Sequence, residues 1–300
     1  MKLPVLFPDK NIQASLLVAL SAVLYGFLGF LGTHLLRSDM PIIEMQFWRF
    51  FIACLWMSGF AAKNMINKIN YSTQGRFLLS MFLLGATAYA GSSGFFFLSC
   101  QTIGTGPAMV IFFSYPLIVA FVSWLIHGKK LRGQTLLIIA VMILGLYFLQ
   151  DASDGSLSPL GIAAGLGSAV FYAFYVLGSK QFSTHSIDSS QMALVVCLGC
   201  AAIFLLVTLQ LPGFVWPATL KSWVCILALG ILATAIPIQL MLEGLKHISS
   251  MRASLISVLE PVVTVLVGVS LLDESLTQLQ ILGTCLILGA ALVIQFQREL

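Results

Sequence analysis

Glu260 is the residue of this sequence with the most chemistry to offer, a carboxylate inside a long apolar run and followed at once by Pro261. It falls about nine residues, hence about 13 Å, into that run, close to the centre of a bilayer core about 30 Å thick. A carboxylate at that depth is costly unless it is paired, protonated or wet. Such a group can take a proton or a cation such as a substrate ammonium; the alternative is a protonated glutamate tying two helices together. Pro261 has no amide to give the carbonyl of Ser257, which is expected to leave that acceptor free for substrate or water. Tyr115 and Pro116 hold the corresponding position earlier in the chain and are expected to free the carbonyl of Phe112.

Arg49 is the second ionisable residue inside an apolar run. It is a candidate to snorkel, to anchor an outer gate or to hold a substrate carboxylate; Glu44, five positions earlier, is poorly spaced for a same-face partner. Glu243 lies three residues before Lys246, the spacing of a salt-bridged helix end, and Gln239, with Pro237, is better placed to face a cavity. Aromatics crowd the same depth, among them Tyr25, Tyr89, Phe112, Tyr115, Tyr172 and Tyr175. Aromatic walls beside one carboxylate suit an amine or a zwitterion through cation–π contact.

These residues need helices to carry them across lipid. The chain has 300 residues, 59% hydrophobic and only 9% charged, with a mean hydropathy of +1.00. A soluble domain has about a quarter of its residues charged, so this chain cannot cover a water-facing surface. Ten apolar segments are long enough to span, near 13–36, 42–62, 76–98, 103–126, 132–149, 159–180, 190–210, 220–243, 250–271 and 277–296. The first is too long for a secretion signal and is read as a helix of the mature protein. Gly26, Gly29 and Gly32, and the pair Gly161 and Gly165, have the spacing of helix-contact surfaces.

The chain also repeats itself. Ile103, Ala108 and Pro116 align without a gap with Ile248, Ala253 and Pro261, and both runs lead through a polar turn, at 127–130 and 273–275. Residues 150–158, rich in Asp, Ser and Gly, form the seam between a first domain, 13–149, and a second, 159–296. With the N-terminus inside, twelve Lys and Arg fall on the inner side and only Arg37 and Lys221 outside, which puts both termini in the cytoplasm. Five helices is an odd number, so the second domain enters from the opposite face. The expected fold is an all-α membrane protein, ten transmembrane helices as two inverted five-helix repeats around a central cavity that opens alternately to each side. One chain holds both halves, so a monomer suffices and a dimer is compatible.

Other classes fit less well. The scattered net charge of +4 gives no nucleic-acid footprint. Cys197 and Cys200 have a C-x-x-C spacing without a second pair, so they read as packing residues, and no metal or cofactor is expected. Ser93, in Gly91-Ser92-Ser93-Gly94, evokes an intramembrane serine protease, but His127, His185 and His247 all fall in connections and leave it without a base; no enzyme is expected. A facilitative channel or a non-transporting scaffold is the alternative to a carrier, although no filter or charged pore ring supports a pore.

The halves resemble the drug/metabolite transporter superfamily, specifically EamA-type carriers with two tandem EamA domains. The likeness rests on Ala253-Ser254 through Leu259-Glu260-Pro261, Leu272-Asp273-Glu274, Gln280 with Gly283, Gly289, and Pro41 followed by Arg49. The first repeat departs from the pattern, with Tyr115 in place of the Glu and Gly128-Lys129 in place of an acidic helix end. The resemblance implies ten helices, a central cavity and export or exchange of small metabolites across the bacterial inner membrane. The expectation is a secondary transporter of amino acids or amines, with protons as a candidate coupling ion and Glu260 as the binding group.

Overall fold

The computed structural model describes residues 10–36, 38, 40–65, 71–127, 133–149, 158–183, 187–211, 213–272 and 277–296. The polar turns at 128–130 and 273–275, the seam at 150–157, His185 and half of the Lys and Arg used to orient the chain lie outside the described residues.

Every described element is helical, as an apolar chain requires when only internal hydrogen bonds can satisfy its backbone in lipid. The first half runs α1 (Lys10–Tyr25), α2 (Phe27–Leu36), α3 (Ile42–Met65), α4 (Tyr71–Leu84), α5 (Ala90–Ile103), α6 (Thr105–Phe112), α7 (Tyr115–His127) and α8 (Gly133–Leu149). The second runs α9 (Pro159–Ser183), α10 (Ser189–Thr208), α11 (Leu220–Gly230), α12 (Ile236–Leu245), α13 (Ser250–Ile256), α14 (Leu259–Leu272) and α15 (Gln278–Phe296). Seven helical stretches among the described residues are long and apolar enough to cross a membrane, and α8 and α15 contain shorter apolar ones. Leu125, Leu137, Leu220 and Leu292 stand outward and more than half exposed, a surface that lipid covers at no expense.

The prolines shape the interior. Pro116 and Pro261 sit in the first turns of α7 and α14, where a missing amide is tolerated. The helix is interrupted two or three residues before Pro116, at Phe113–Ser114, and three or four before Pro261, at Ser257–Val258. The two other interruptions are π-helical, Gly85–Tyr89 between α4 and α5 and Ile231–Ala235 between α11 and α12. Gly85 opens the first of these turns and Gly230 immediately precedes the second, at positions 145 apart. Gly85 lies against the Val196 backbone, and a Cβ at Gly230 would be 2.9 Å from the Arg49 carbonyl oxygen. Only glycine lets α4 meet α10, and α11 meet α3, that closely.

Contacts between the halves come in matched pairs. Ser21 Oγ donates to the carbonyl of Pro237 and Ser168 Oγ to that of Ser92, both at 2.8 Å. The donors stand in two copies of one motif, Ser21-Ala22-Val23-Leu24-Tyr25 and Ser168-Ala169-Val170-Phe171-Tyr172, and the acceptors are 145 residues apart. One difference breaks the match. The first helix is interrupted at Gly26, between α1 and α2, whereas α9 runs unbroken through Ala173.

Candidate functional site

Glu260 is the second residue of α14, so the break at Ser257–Val258 places its carboxylate at a helix N-terminus in the middle of the protein. A negative charge is favoured there by the unpaired amides of the first turn. The carbonyl of Ser257, expected to be free, accepts the Glu260 amide at 3.0 Å instead. The chain tightens into a three-residue turn at the break and takes up the acceptor that Pro261 cannot use. Glu260 itself is 8% exposed and faces a cavity.

Arg49 faces the same cavity from α3. At 1% exposure it does not snorkel. Its Nε donates to Thr234 Oγ1 at 2.6 Å, and Nη1 donates to Ser93 Oγ at 2.9 Å and Gln46 Oε1 at 3.3 Å. Gln46 Nε2 also donates to Ser93 Oγ. The guanidinium carbon lies 4.9 Å from the Phe50 ring centroid. These bonds compensate a burial that would otherwise be prohibitive. They leave Nη2 without a protein acceptor among the described residues. Ser93 receives two donors and has no base beside it, an arrangement opposite to that of a nucleophile.

Arg49 and Glu260 do not pair with each other; among the described residues the one ion pair is Lys246 with Glu243, 2.8 Å apart. Between them lies a cavity of about 40 Å³, lined also by Tyr25, Leu28, Tyr89, Ser92, Ser93, Phe96, Phe112 and Tyr172. That is far below the roughly 300–1,000 Å³ usual for small-molecule sites, room for a few waters in this closed arrangement. The tyrosines form one connected wall. Tyr25 and Tyr89 share a hydrogen bond at 2.9 Å between their hydroxyls. Tyr172 packs edge-on against Tyr115, ring centroids 4.7 Å apart, and Tyr175 lies 4.5 Å from Tyr89.

Of the residues singled out by sequence, Glu260, Arg49, Tyr89, Phe112 and Tyr172 line the cavity together. Tyr115 and Tyr175 stand behind them, and the Tyr115 hydroxyl donates to the Ser254 carbonyl at 3.1 Å. Pro116 and Pro261 are buried and shape the helix starts. Gln239 is half-buried in α12 and outside the cavity lining. Gln46 and Thr234 were missed. Gln46 carried a signal, a polar residue three positions before Arg49 and so on its helix face; Thr234 carried none.

The sequence matches the EamA-like transporter family twice, over residues 12–150 and 159–296. The chain belongs to the EamA-like transporter family. It is 28% identical over 219 residues to the threonine/homoserine exporter RhtA of Escherichia coli K12, covering 70% of this chain and 69% of that one. It is 27% identical over 197 residues to an uncharacterized transporter of Archaeoglobus fulgidus, covering 64% and 68%, and 26% identical over 213 residues to the uncharacterized transporter YwfM of Bacillus subtilis, covering 70% and 71%. A crystal structure of a protein 20% identical superposes with a TM-score of 0.78 over 94% of this chain and 96% of the other, a likeness of fold. Transport is thus the activity of the family, and the protein is a multi-pass membrane protein.

Proposed function

We propose that the protein is a secondary transporter that moves small amino acids outward across the cytoplasmic membrane by alternating access. The observation that carries this reading is the pairing of two opposite, mutually unpaired charges on one small cavity. A zwitterion satisfies both: its ammonium meets Glu260 and its carboxylate meets Nη2 of Arg49. An amine would leave the guanidinium unanswered, which favours amino acids over amines. The tyrosine and phenylalanine walls give the ammonium a second favourable surface. The same carboxylate can hold a proton when the ammonium leaves, which gives a route to proton coupling.

Ten transmembrane helices in two inverted repeats supply the alternation in this reading. The exchanged bonds Ser21 to Pro237 and Ser168 to Ser92 support it, because a two-fold relation between halves generates such pairs. The concentration of Lys and Arg on one side of the expected topology supports cytoplasmic termini. The export direction and the interest in threonine come from the relative RhtA.

The test is flux of radiolabelled threonine from proteoliposomes holding wild type, Glu260→Gln or Arg49→Gln at matched protein content. Saturable flux in wild type, with counterflow, and at least a tenfold loss in both variants are expected. Equal flux in all three would remove the two charges from the mechanism, and an ohmic conductance would replace the carrier by a channel.

A further inference from the structure

The halves are matched in their breaks at the prolines and in their π-turns, but not at Gly26. α1 ends at Tyr25 and α2 begins at Phe27, so the interruption falls beside two cavity-lining residues, Tyr25 and Leu28. Gly26 lies hard against α14. A Cβ there would stand 2.6 Å from Val263 Cβ and Cγ1 and 3.2 Å from the Glu260 carbonyl oxygen. Thr264, on the same helix, makes the connection across: its hydroxyl donates to the Gly26 carbonyl at 3.0 Å. That hydroxyl is also 3.2 Å from the carbonyl of Glu260, one turn back along its own helix.

A threonine hydroxyl has one proton and can donate it to one acceptor at a time. Given to Gly26, it links the interrupted first helix to α14. Given to Glu260, it closes a local bond within α14 and leaves the first helix unheld. The two bonds have similar lengths, so neither arrangement is strongly preferred by geometry. Such a shared donor at a helix interruption is a two-state element, and it sits on the backbone of the residue that faces the substrate cavity.

The other half has no counterpart. The repeated motif places Ala173 where Gly26 stands, and the offset of 145 places Val119 where Thr264 stands. Both are fully buried. Val119 has no hydroxyl for a carbonyl released by bending, and α9 is continuous. An unsatisfied carbonyl buried in a membrane protein costs too much for α9 to bend there.

We propose that Gly26 and Thr264 form a one-sided hinge: α2 swings about Gly26 as the Thr264 proton passes between the carbonyls of Gly26 and Glu260, while α9 moves as a rigid rod. Thr264 is a positioning residue in this scheme and touches no substrate. The inference rests on the alternating-access reading, and it adds that the two halves gate differently.

Pulsed spin-label distances in nanodiscs test it without a substrate. One label pair, Ser38 with Leu220, reads the tip of α2 against the start of α11; a second, Gln181 with His247, reads the far end of α9 against the end of α12. Cys100, Cys225 and Cys285, which are not buried, are replaced by Ala beforehand. A kink change of about 20° at the root of a ~15 Å arm moves its tip by about 5 Å. Wild type is expected to give two Ser38–Leu220 populations separated by about that distance. Thr264→Val collapses them into one, Thr264→Ser retains both, and Gln181–His247 gives a single distance throughout. A Ser38–Leu220 distribution unchanged by Thr264→Val overturns the hinge, as does an equal splitting of the Gln181–His247 pair. Threonine flux from proteoliposomes holding the same variants separates the two readings. A distance response without threonine transport in wild type leaves the hinge and removes the substrate, and normal transport with unaltered distances does the reverse.

Discussion

Arg49 Nε donates to Thr234 Oγ1 at 2.6 Å, and the Thr234 hydroxyl donates onward to the Leu229 carbonyl at 2.7 Å. The first bond joins α3 to the π-turn between α11 and α12, and so one half of the chain to the other. The second reaches back five residues because the π-turn holds one residue more than an α-turn. Thr234 therefore holds the guanidinium and the distorted backbone with one oxygen.

Thr234→Val keeps the shape and removes both bonds. A hydrogen bond to a charged group contributes about 1.5–3 kcal/mol, and the buried Nε left behind loses its one acceptor among the described residues. A clear fall in the detergent melting temperature is expected. Gln46→Leu, which removes a longer contact to Nη1 and a neutral bond to Ser93, is expected to lower it less. Arg49→Lys should not restore what Arg49→Gln loses, because an ammonium cannot reach Thr234 and Ser93 in the fork geometry of a guanidinium. Thermal unfolding of the purified variants, followed by tryptophan fluorescence, measures all four.

The Tyr25 and Tyr89 hydroxyls make one hydrogen bond between α1 and the π-turn that precedes α5. Removing either hydroxyl alone strands the other, at about 1–3 kcal/mol; removing both is expected to be milder than either single change. A double-mutant cycle with Tyr25→Phe and Tyr89→Phe, read as melting temperature, is expected to show a coupling of about 0.5–3 kcal/mol. Additive effects would mean that the two hydroxyls are hydrated separately.

Much of this arrangement was legible in the sequence. A carboxylate or guanidinium in lipid has to face the protein interior, so Glu260 and Arg49 each stood out in the sequence. Arg49, however, was expected at an outer gate, and its sharing of one cavity with Glu260 was not foreseen. The spacing of Glu243 and Lys246 likewise anticipated their ion pair at 2.8 Å. Prolines at matched positions foretold the breaks of α6 from α7 and of α13 from α14. What was hidden depends on rotation about helix axes. Nothing in a half-buried apolar stretch tells that Gln239 turns away from the cavity while Thr234, five residues earlier, turns towards Arg49; a π-turn between them shifts the face by one residue. The freed carbonyl of Ser257 was hidden for a similar reason, because a helix that breaks can re-pair its acceptor locally. Gly26 read as a packing residue, and it is one, but its role as an interruption follows only from the Thr264 hydroxyl placed opposite it.

Glu260→Gln removes the charge and keeps the volume. If the carboxylate binds the ammonium or a proton, threonine counterflow falls at least tenfold and its remaining rate no longer follows the pH dependence of wild type. Glu260→Asp keeps the charge but withdraws it by one methylene, and an intermediate rate with a retained pH dependence is expected. Counterflow in liposomes at several internal pH values is the measurement; a pH profile identical in wild type and Glu260→Gln assigns the carboxylate a structural role only.

Gly85 and Gly230 predict opposite behaviour from Gly289. A Cβ at Gly85 would run into the backbone of Val196, and one at Gly230 would lie 2.7 Å from Ile52 Cγ2 and 2.9 Å from the Arg49 carbonyl. Backbone cannot yield as a flexible side chain does, so Gly85→Ala must part α4 from α10. Overpacking of this kind costs about 1–3 kcal/mol, and the melting temperature is expected to fall for both variants. The change at Gly230 has a second effect, since pushing α11 off α3 stretches the Arg49–Thr234 bond one turn away, and transport is expected to suffer more than stability alone explains. Gly289 meets nothing within 4 Å, and Ala there relieves about 0.5–1 kcal/mol of helix disfavour. A rise in melting temperature for Gly289→Ala alongside a fall for the other two would locate the close crossings at the π-turns, whereas a uniform response of all three would trace it to helix propensity instead.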